Sequence, residues 1–275
     1  MKNKILRFRL TVDWLRLDVA GLLLTLVLLV SVAAPTFAAP QLNRQGDRLG
    51  TMSPAGSIER LRGALLAIAQ RFPGDVGVYV HHIETGMETG IDEDTPYGMA
   101  STYKVPILVE LMTRVEAGDL SLDDRIAVEA EDQHIGSGLL STLWAPGIEM
   151  SLRNIATFMI ILSDNSATDM LIDRLGADQI TARMRSLGFQ NIRVDRTTLE
   201  LILDYQGVDY APVANGTLQE INQHRRNNRP DAANILASRE AFYGGDKDKA
   251  SARDMTELLV MISEGTAVSL SLIHI

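Results

Sequence analysis

The 275-residue sequence contains no cysteine. That excludes disulfides, thiolate metal sites and a cysteine nucleophile. It also lacks a basic excess: 26 Lys and Arg face 35 Asp and Glu, a formal net charge of −9. An acidic surface argues against nucleic acid as a partner and against adhesion to anionic membranes. The five histidines, His81, His82, His134, His224 and His274, show no metal-ligand spacing. His81 and His82 fall in a strand-like run and must point to opposite faces. All five read as neutral structural residues, and neither a metal nor a cofactor is expected. Internal repeats and low-complexity blocks are missing too. What remains, 46% hydrophobic and 22% charged residues, is ordinary globular composition in a chain long enough for one sizeable domain.

Long apolar runs are confined to the N-terminus. Lys2, Lys4, Arg7, Arg9 and Arg16 form a basic head, Ala20 to Ala33 is uncharged and apolar, and small residues follow in APTFAAP. That order is the signature of a signal peptide, cut after Ala38. The alternative is an uncleaved anchor, for which residues 20–33 are short. Either way the protein is expected to be exported, periplasmic or extracellular, touching a membrane only through this segment. No twin-arginine pair precedes the run, which favours the general secretory route. Residues 1–38 are thus read as signal peptide or anchor, 39–56 as a polar linker and 57–269 as the domain.

Within the domain, Ser57 to Arg71 has apolar residues at helical spacing, and Pro73-Gly74-Asp75 ends it. Val76 to His82 and Met87 to Ile91 flank a Glu84-Thr85-Gly86 turn and read as a hairpin. Helices are predicted over Ser101–Glu116, Ser151–Leu162, Asn165–Leu175 (with Asn165 as N-cap), Asp178–Leu187 and Ser251–Glu264. The centre of the second, IATFMIIL, is apolar on all sides and is expected to be buried. Leu199 to Ala250 mixes Asn, Gly, Pro and charge clusters and reads as an irregular excursion.

Two clusters could carry chemistry. Ser101-Thr102-Tyr103-Lys104 opens a helix, where residues three apart share a face. A serine hydroxyl is a poor nucleophile until a base takes its proton, and a lysine with a lowered pKa can be that base. The free N–H groups at a helix start can stabilise an oxyanion. Ser-x-x-Lys alone is weak, since average composition yields it about once in a chain of this size. Ser163-Asp164-Asn165 is rarer. It is good helix-stop and helix-start chemistry, but it also follows the most apolar helix, which would hold it rigidly.

Together, in this order and context, the two clusters resemble class A β-lactamases and penicillin-binding proteins. The flanking text agrees: STYKVPILVELMTRVEAGDLSLDD, LSDNSATDMLIDRLG, and ITARMRSLGFQNIRVDR, which resembles the approach to the family's Ω-loop. The likeness covers about Ser57 to Arg196 and, more loosely, Asp246 to Gly265. It implies an α+β fold of the β-lactamase/transpeptidase type, a helical domain beside an antiparallel sheet. It further implies that Ser101 is the acylated nucleophile and its N–H an oxyanion donor, with Lys104 as base partner. By the same likeness Ser163 relays a proton to the leaving nitrogen, Asn165 holds the substrate amide, and Asp164 orients the loop. The substrate would be a β-lactam or a peptidoglycan-derived amide.

Two departures bear on activity. Where the class A Ω-loop carries the glutamate that activates the deacylating water, this sequence has Thr198, and Glu200 lies two residues on. The late Lys-Thr/Ser-Gly motif is absent. Leu270 to Ile275 resembles a translated transposon-type sequencing adapter; the expectation is a chain interrupted near Ser269, the alternative a genuine short apolar tail. With only the Val76 and Met87 strands in view, the sheet is expected to be incomplete and the fragment inactive and prone to aggregate. Three readings stay open: a β-lactamase-like serine hydrolase, a penicillin- or peptidoglycan-binding protein with little turnover, or a non-catalytic relative.

Overall fold

The computed structural model describes residues 54–269. The expected signal segment, most of the linker and the Leu270–Ile275 tail lie outside the described residues. Along the chain run α1 (Pro54–Ala69), β1 (Val78–His82), β2 (Met87–Ile91) and β3 (Pro96–Gly98). A 3₁₀ turn (Ala100–Tyr103) leads into α2 (Lys104–Glu116), followed by β4 (Arg125–Val128), β5 (Ile148–Ser151), α3 (Leu152–Ile161), α4 (Asn165–Leu175) and α5 (Ala177–Ser186). Then come α6 (Thr198–Gln206), α7 (Leu218–Asn227), α8 (Ala232–Gly244), β6 (Lys249–Ser251) and α9 (Ala252–Glu264). Among the described residues no helix is long and apolar enough to cross a membrane.

The strands pair as three antiparallel ribbons, β1 with β2, β3 with β6 and β4 with β5. The predicted hairpin forms with Val78 opposite Ile91 and His82 opposite Met87. The other four strands are too short to leave an alternating pattern in the sequence. The short β3–β6 ribbon nevertheless matters, because it joins Gly98, three residues before Ser101, to Lys249.

The helical core is built where α2, α3, α4 and α5 meet. Ile107, Leu111, Leu152, Ile155, Met159, Leu171, Ile180 and Met184 are all fully enclosed. Each such side chain contributes about 1.5–3 kcal/mol of burial relative to exposure. A second cluster, with Ile135, Leu199, Leu203 and Ile221, seats α6 and α7.

Several expectations change. Helix α3 is not buried all round: its last turn leaves Ile160 40% and Ile161 73% exposed, and Leu162 is exposed as well. The N-cap of α4 is Asp164, not Asn165; its carboxylate accepts from the Ala167 N–H at 3.0 Å. A carboxylate there also complements the positive end of the helix. Residues 199–250 are mostly helical rather than irregular. Caps explain why: Thr197 starts α6, a Thr217–Glu220 capping box starts α7, and Asp231 starts α8. Pro212, Gly216, Pro230 and Gly245 lie in the joints, and Gly207 at φ 71° ends α6.

Candidate active site

Ser101 sits in the 3₁₀ turn that precedes α2, not in the α-helix itself. In a 3₁₀ helix residues i and i+3 eclipse, so Lys104 stacks beneath Ser101. The Ser101 N–H is among the first of the turn, which have no intrahelical acceptor. Ala100, just before it, has φ 45°, and Ser163 has φ 53°. Left-handed backbone costs a non-glycine residue about 1–2 kcal/mol. Strain of this kind persists only where the surroundings enforce it.

The three polar side chains form one hydrogen-bonded path. Ser163 Oγ donates to Ser101 Oγ at 3.0 Å. Lys104 Nζ donates to Ser163 Oγ at 2.9 Å, to the Ser163 carbonyl at 2.7 Å and to Asn165 Oδ1 at 3.0 Å. Lys104 is only 3% exposed, whereas Ser101 is open to solvent. Burial pushes the Lys104 ammonium down from 10.5 to about 8, against the pull of Asp169 and Asp164. A tenth or so of the lysine is then neutral at pH 7, enough for it to serve as a base.

Asp164 orients its surroundings. Its Oδ2 accepts from the Leu139 and Leu140 N–H groups at 2.6 and 2.8 Å. That pins the loop over residues 135–140 to the site, and the approach is close. A Cβ on Gly138 (φ 120°) would lie 2.2 Å from the Asp164 carboxyl carbon, and one on Gly136 (φ 109°) 2.1 Å from Asn165 Nδ2. Asn165 is buried, with Nδ2 donating to the Ile135 carbonyl at 3.2 Å. Both ends of its amide are thus engaged within the protein.

Sequence reasoning missed Ser137, whose Oγ donates to the Ser163 carbonyl at 2.6 Å. Its only sequence signal was the glycine on either side. The His134–Asp169 pair was missed as well. Asp169, 0% exposed, accepts from His134 Nδ1 at 2.7 Å, from the Thr198 N–H and hydroxyl at 2.6 and 2.8 Å, and from the Leu199 N–H at 3.0 Å. The other nitrogen of His134 donates to the Glu131 carbonyl at 3.0 Å. Both partners are pure acceptors, so the arrangement fits an imidazolium. Burial lowers the pKa of His134, but the hydrogen bond and charge of Asp169 outweigh it and the net direction is up. The expectation of a neutral histidine is corrected on that ground.

Thr198 is buried at the start of α6 against Asp169 and Asn165. Glu200, two residues on, lies about 200° around the helix. Its charged neighbours are Asp204, Lys247, Arg196 and Asp248. The loop before α6 is stapled by Arg196, whose Nε donates to Asp248 Oδ2 at 2.6 Å in a pair buried on both sides. The Asp248 carbonyl accepts from the Met99 N–H at 3.0 Å, so one residue ties the α6 loop to the Ser101 turn.

With this geometry in view, the chain was compared with known proteins. Residues 60–272 match the model of the β-lactamase enzyme family. The chain belongs to that family. It is 27% identical over 136 residues to the β-lactamase SME-1 of Serratia marcescens, covering 49% of this chain and 46% of that one. It is 31% identical over 140 residues to a β-lactamase of Rhodobacter capsulatus, covering 50% and 47%. The crystal structure of a β-lactamase from Sphaerobacter thermophilus superposes with a TM-score of 0.57 at 26% identity, over 77% of this chain and 65% of that one. The fold is therefore the α+β β-lactamase/transpeptidase fold, helix-rich with small antiparallel sheets. The chain spans about half the length of the curated relatives it matches.

Proposed function

We propose that this β-lactamase-family protein is an exported serine hydrolase, acylated at Ser101 by β-lactams or related cell-wall amides and slow to release the acyl group. The observation that carries the reading is the path Lys104 Nζ–Ser163 Oγ–Ser101 Oγ. In acylation, Ser101 Oγ attacks the amide carbonyl carbon. Its proton passes through the Ser163 hydroxyl to neutral Lys104. When the C–N bond breaks, the proton returns from Lys104 through Ser163 to the leaving nitrogen. The Ser101 N–H supplies one oxyanion donor; the family resemblance assigns the second to a Lys-Thr/Ser-Gly strand. Export rests on the order of the first 38 residues.

Slow release is supported by the surroundings of Thr198. Threonine has no group that titrates near neutral pH, so it cannot activate water as a carboxylate would. The carboxylate that Thr198 touches, Asp169, is saturated by four donors, and Glu200 lies about 200° around α6 from Thr198. This observation favours a second reading, a penicillin-binding protein with little turnover; the intact path argues against a non-catalytic relative. A fluorescent penicillin should label the full-length protein covalently, and Ser101→Ala should abolish the label. Absence of any adduct by mass spectrometry would overturn the acylation reading. An adduct that clears within seconds would overturn slow release.

A further inference from the structure

Far along the chain from Ser101, a cleft of about 390 Å3 opens between the end of α6, α7 and α8. Its floor includes Val208, Pro230 and Ile235, and four arginines line it: Arg225, Arg226, Arg229 and Arg239. In an acidic protein this concentration of one charge stands out. Eight other arginines form ion pairs, yet none of these four does so among the described residues. Three acids of the same segment are employed elsewhere: Glu220 and Asp231 cap α7 and α8, and Asp204 pairs with Arg196; among the described residues Glu240 forms no ion pair with the four arginines.

Arg225 is half-buried, and its hydrogen bonds go to neutral groups only, Gln206 Oε1 at 3.0 Å and Asn222 Oδ1 at 3.1 Å. Burial without a counter-charge lowers its pKa. Arg239 stacks over Tyr205, 4.7 Å from the ring centroid, which fixes the guanidinium. Arg226 donates only to Gln223 Oε1, and Arg229 makes no hydrogen bond among the described residues. The negative end of α7 accounts for Arg225 and Arg226 in its last turn. It does not account for Arg229 beyond the helix or for Arg239 on α8.

We infer that this cleft is a binding site for an organic oxyanion, a phosphate or carboxylate group carried on a small apolar body. Guanidinium forks match both groups, and the aliphatic floor suits the body. Nothing in this inference depends on the chemistry proposed at Ser101.

The test is calorimetric titration of the full-length protein with phenyl phosphate, benzoate and neutral benzyl alcohol, in about 20 mM salt so that screening is weak. One or both anions should saturate with a Kd of about 1 mM or below, and benzyl alcohol should not. Whichever anion binds more tightly identifies the oxyanion. R225Q and R229Q should each weaken binding at least about tenfold, the worth of one charge-assisted hydrogen bond. R229Q removes no hydrogen bond or ion pair among the described residues, so it decides the matter even if R225Q misfolds. Penicillin labelling at Ser101 should be unchanged in R229Q, which separates the two sites. Equal binding of benzyl alcohol, no saturation by either anion below about 10 mM, or unchanged binding in R229Q would each overturn the inference.

Discussion

Lowering the pH from 8 to 6 should slow acylation of Ser101 about fifty-fold. Only neutral Lys104 can take a proton. With its pKa held at about 8, roughly half is neutral at pH 8, about a tenth at pH 7 and about a hundredth at pH 6. Initial labelling rates with a fluorescent penicillin, read from gels at saturating and subsaturating drug, give the profile directly. A flat rate between pH 6 and 9 would show that Lys104 is not the base. A midpoint well below 8 would likewise exclude Lys104 as the base. Lys104→Arg should not label at any pH in this range, because a guanidinium stays protonated.

The same lysine has a stability signature of defined sign. Its folded pKa lies below the unfolded value of 10.5, so the unfolded chain binds more protons between pH 8 and 10.5. Stability should rise with pH across that window. Below pH 8 the fold carries the full penalty, about 3 kcal/mol. Lys104→Met removes that penalty but also removes three hydrogen bonds, each worth about 1 kcal/mol, with Ser137 still donating to the Ser163 carbonyl. Its Tm should therefore stay close to that of the parent while labelling is lost. A collapse in Tm would mean that the lost labelling reports unfolding rather than a missing base.

Gly138→Ala drives a Cβ into the Asp164 carboxyl at a φ of 120°; the Tm should fall by at least about 5 °C, with slower labelling because the loop loses its anchor. His134 has a raised folded pKa, so its stabilisation is complete below the unfolded value of 6.5 and is lost as pH rises through the folded value. Thermal scans should show that decline in the parent and a flatter profile in His134→Asn. Thr198→Glu alone would set a second carboxylate against Asp169, since the native hydroxyl lies 2.8 Å away. Like charges that close raise one pKa strongly, so the single variant should speed acyl release little. The double variant Thr198→Glu, Asp169→Asn should speed it by about 10²–10⁴-fold, the range of general-base assistance; mass spectrometry of adduct decay discriminates the two.

Residue types were more legible than arrangements. Ser101, Lys104, Ser163, Asp164 and Asn165 could be singled out because nucleophile, base and cap chemistry restrict the residues that serve. The hairpin and the helices over 104–116, 152–161, 165–175 and 252–264 follow from local periodicity. Helices α6 to α8 were read as irregular because Asn, Gly, Pro and charge clusters were weighed and capping was not. Strands of three or four residues, such as β3 and β6, carry no period to detect, although they set the register between Ser101 and Asp248. The exposed end of α3 was misread for a different reason. Periodicity says that a face is apolar, not whether anything covers it.

The hardest feature to read in sequence is which polar group faces which. Thr198 and Asp169 lie 29 residues apart, and neither is unusual by itself. Only the fold reveals that a buried carboxylate and a hydroxyl meet at the start of α6, the position that the family resemblance assigns to a release-promoting glutamate. The consequence is directional. A carboxylate that accepts from two backbone N–H groups, a hydroxyl and the His134 ring has its lone pairs turned inward. It anchors α6 and the loop after His134 to α4, so its charge stabilises the scaffold around Ser101. A base for water needs the opposite, an oxygen with a free lone pair at the mouth of the site. The geometry commits Asp169 to the first task; on the proposed function the second is left unfilled, and the acyl group on Ser101 should be cleared slowly.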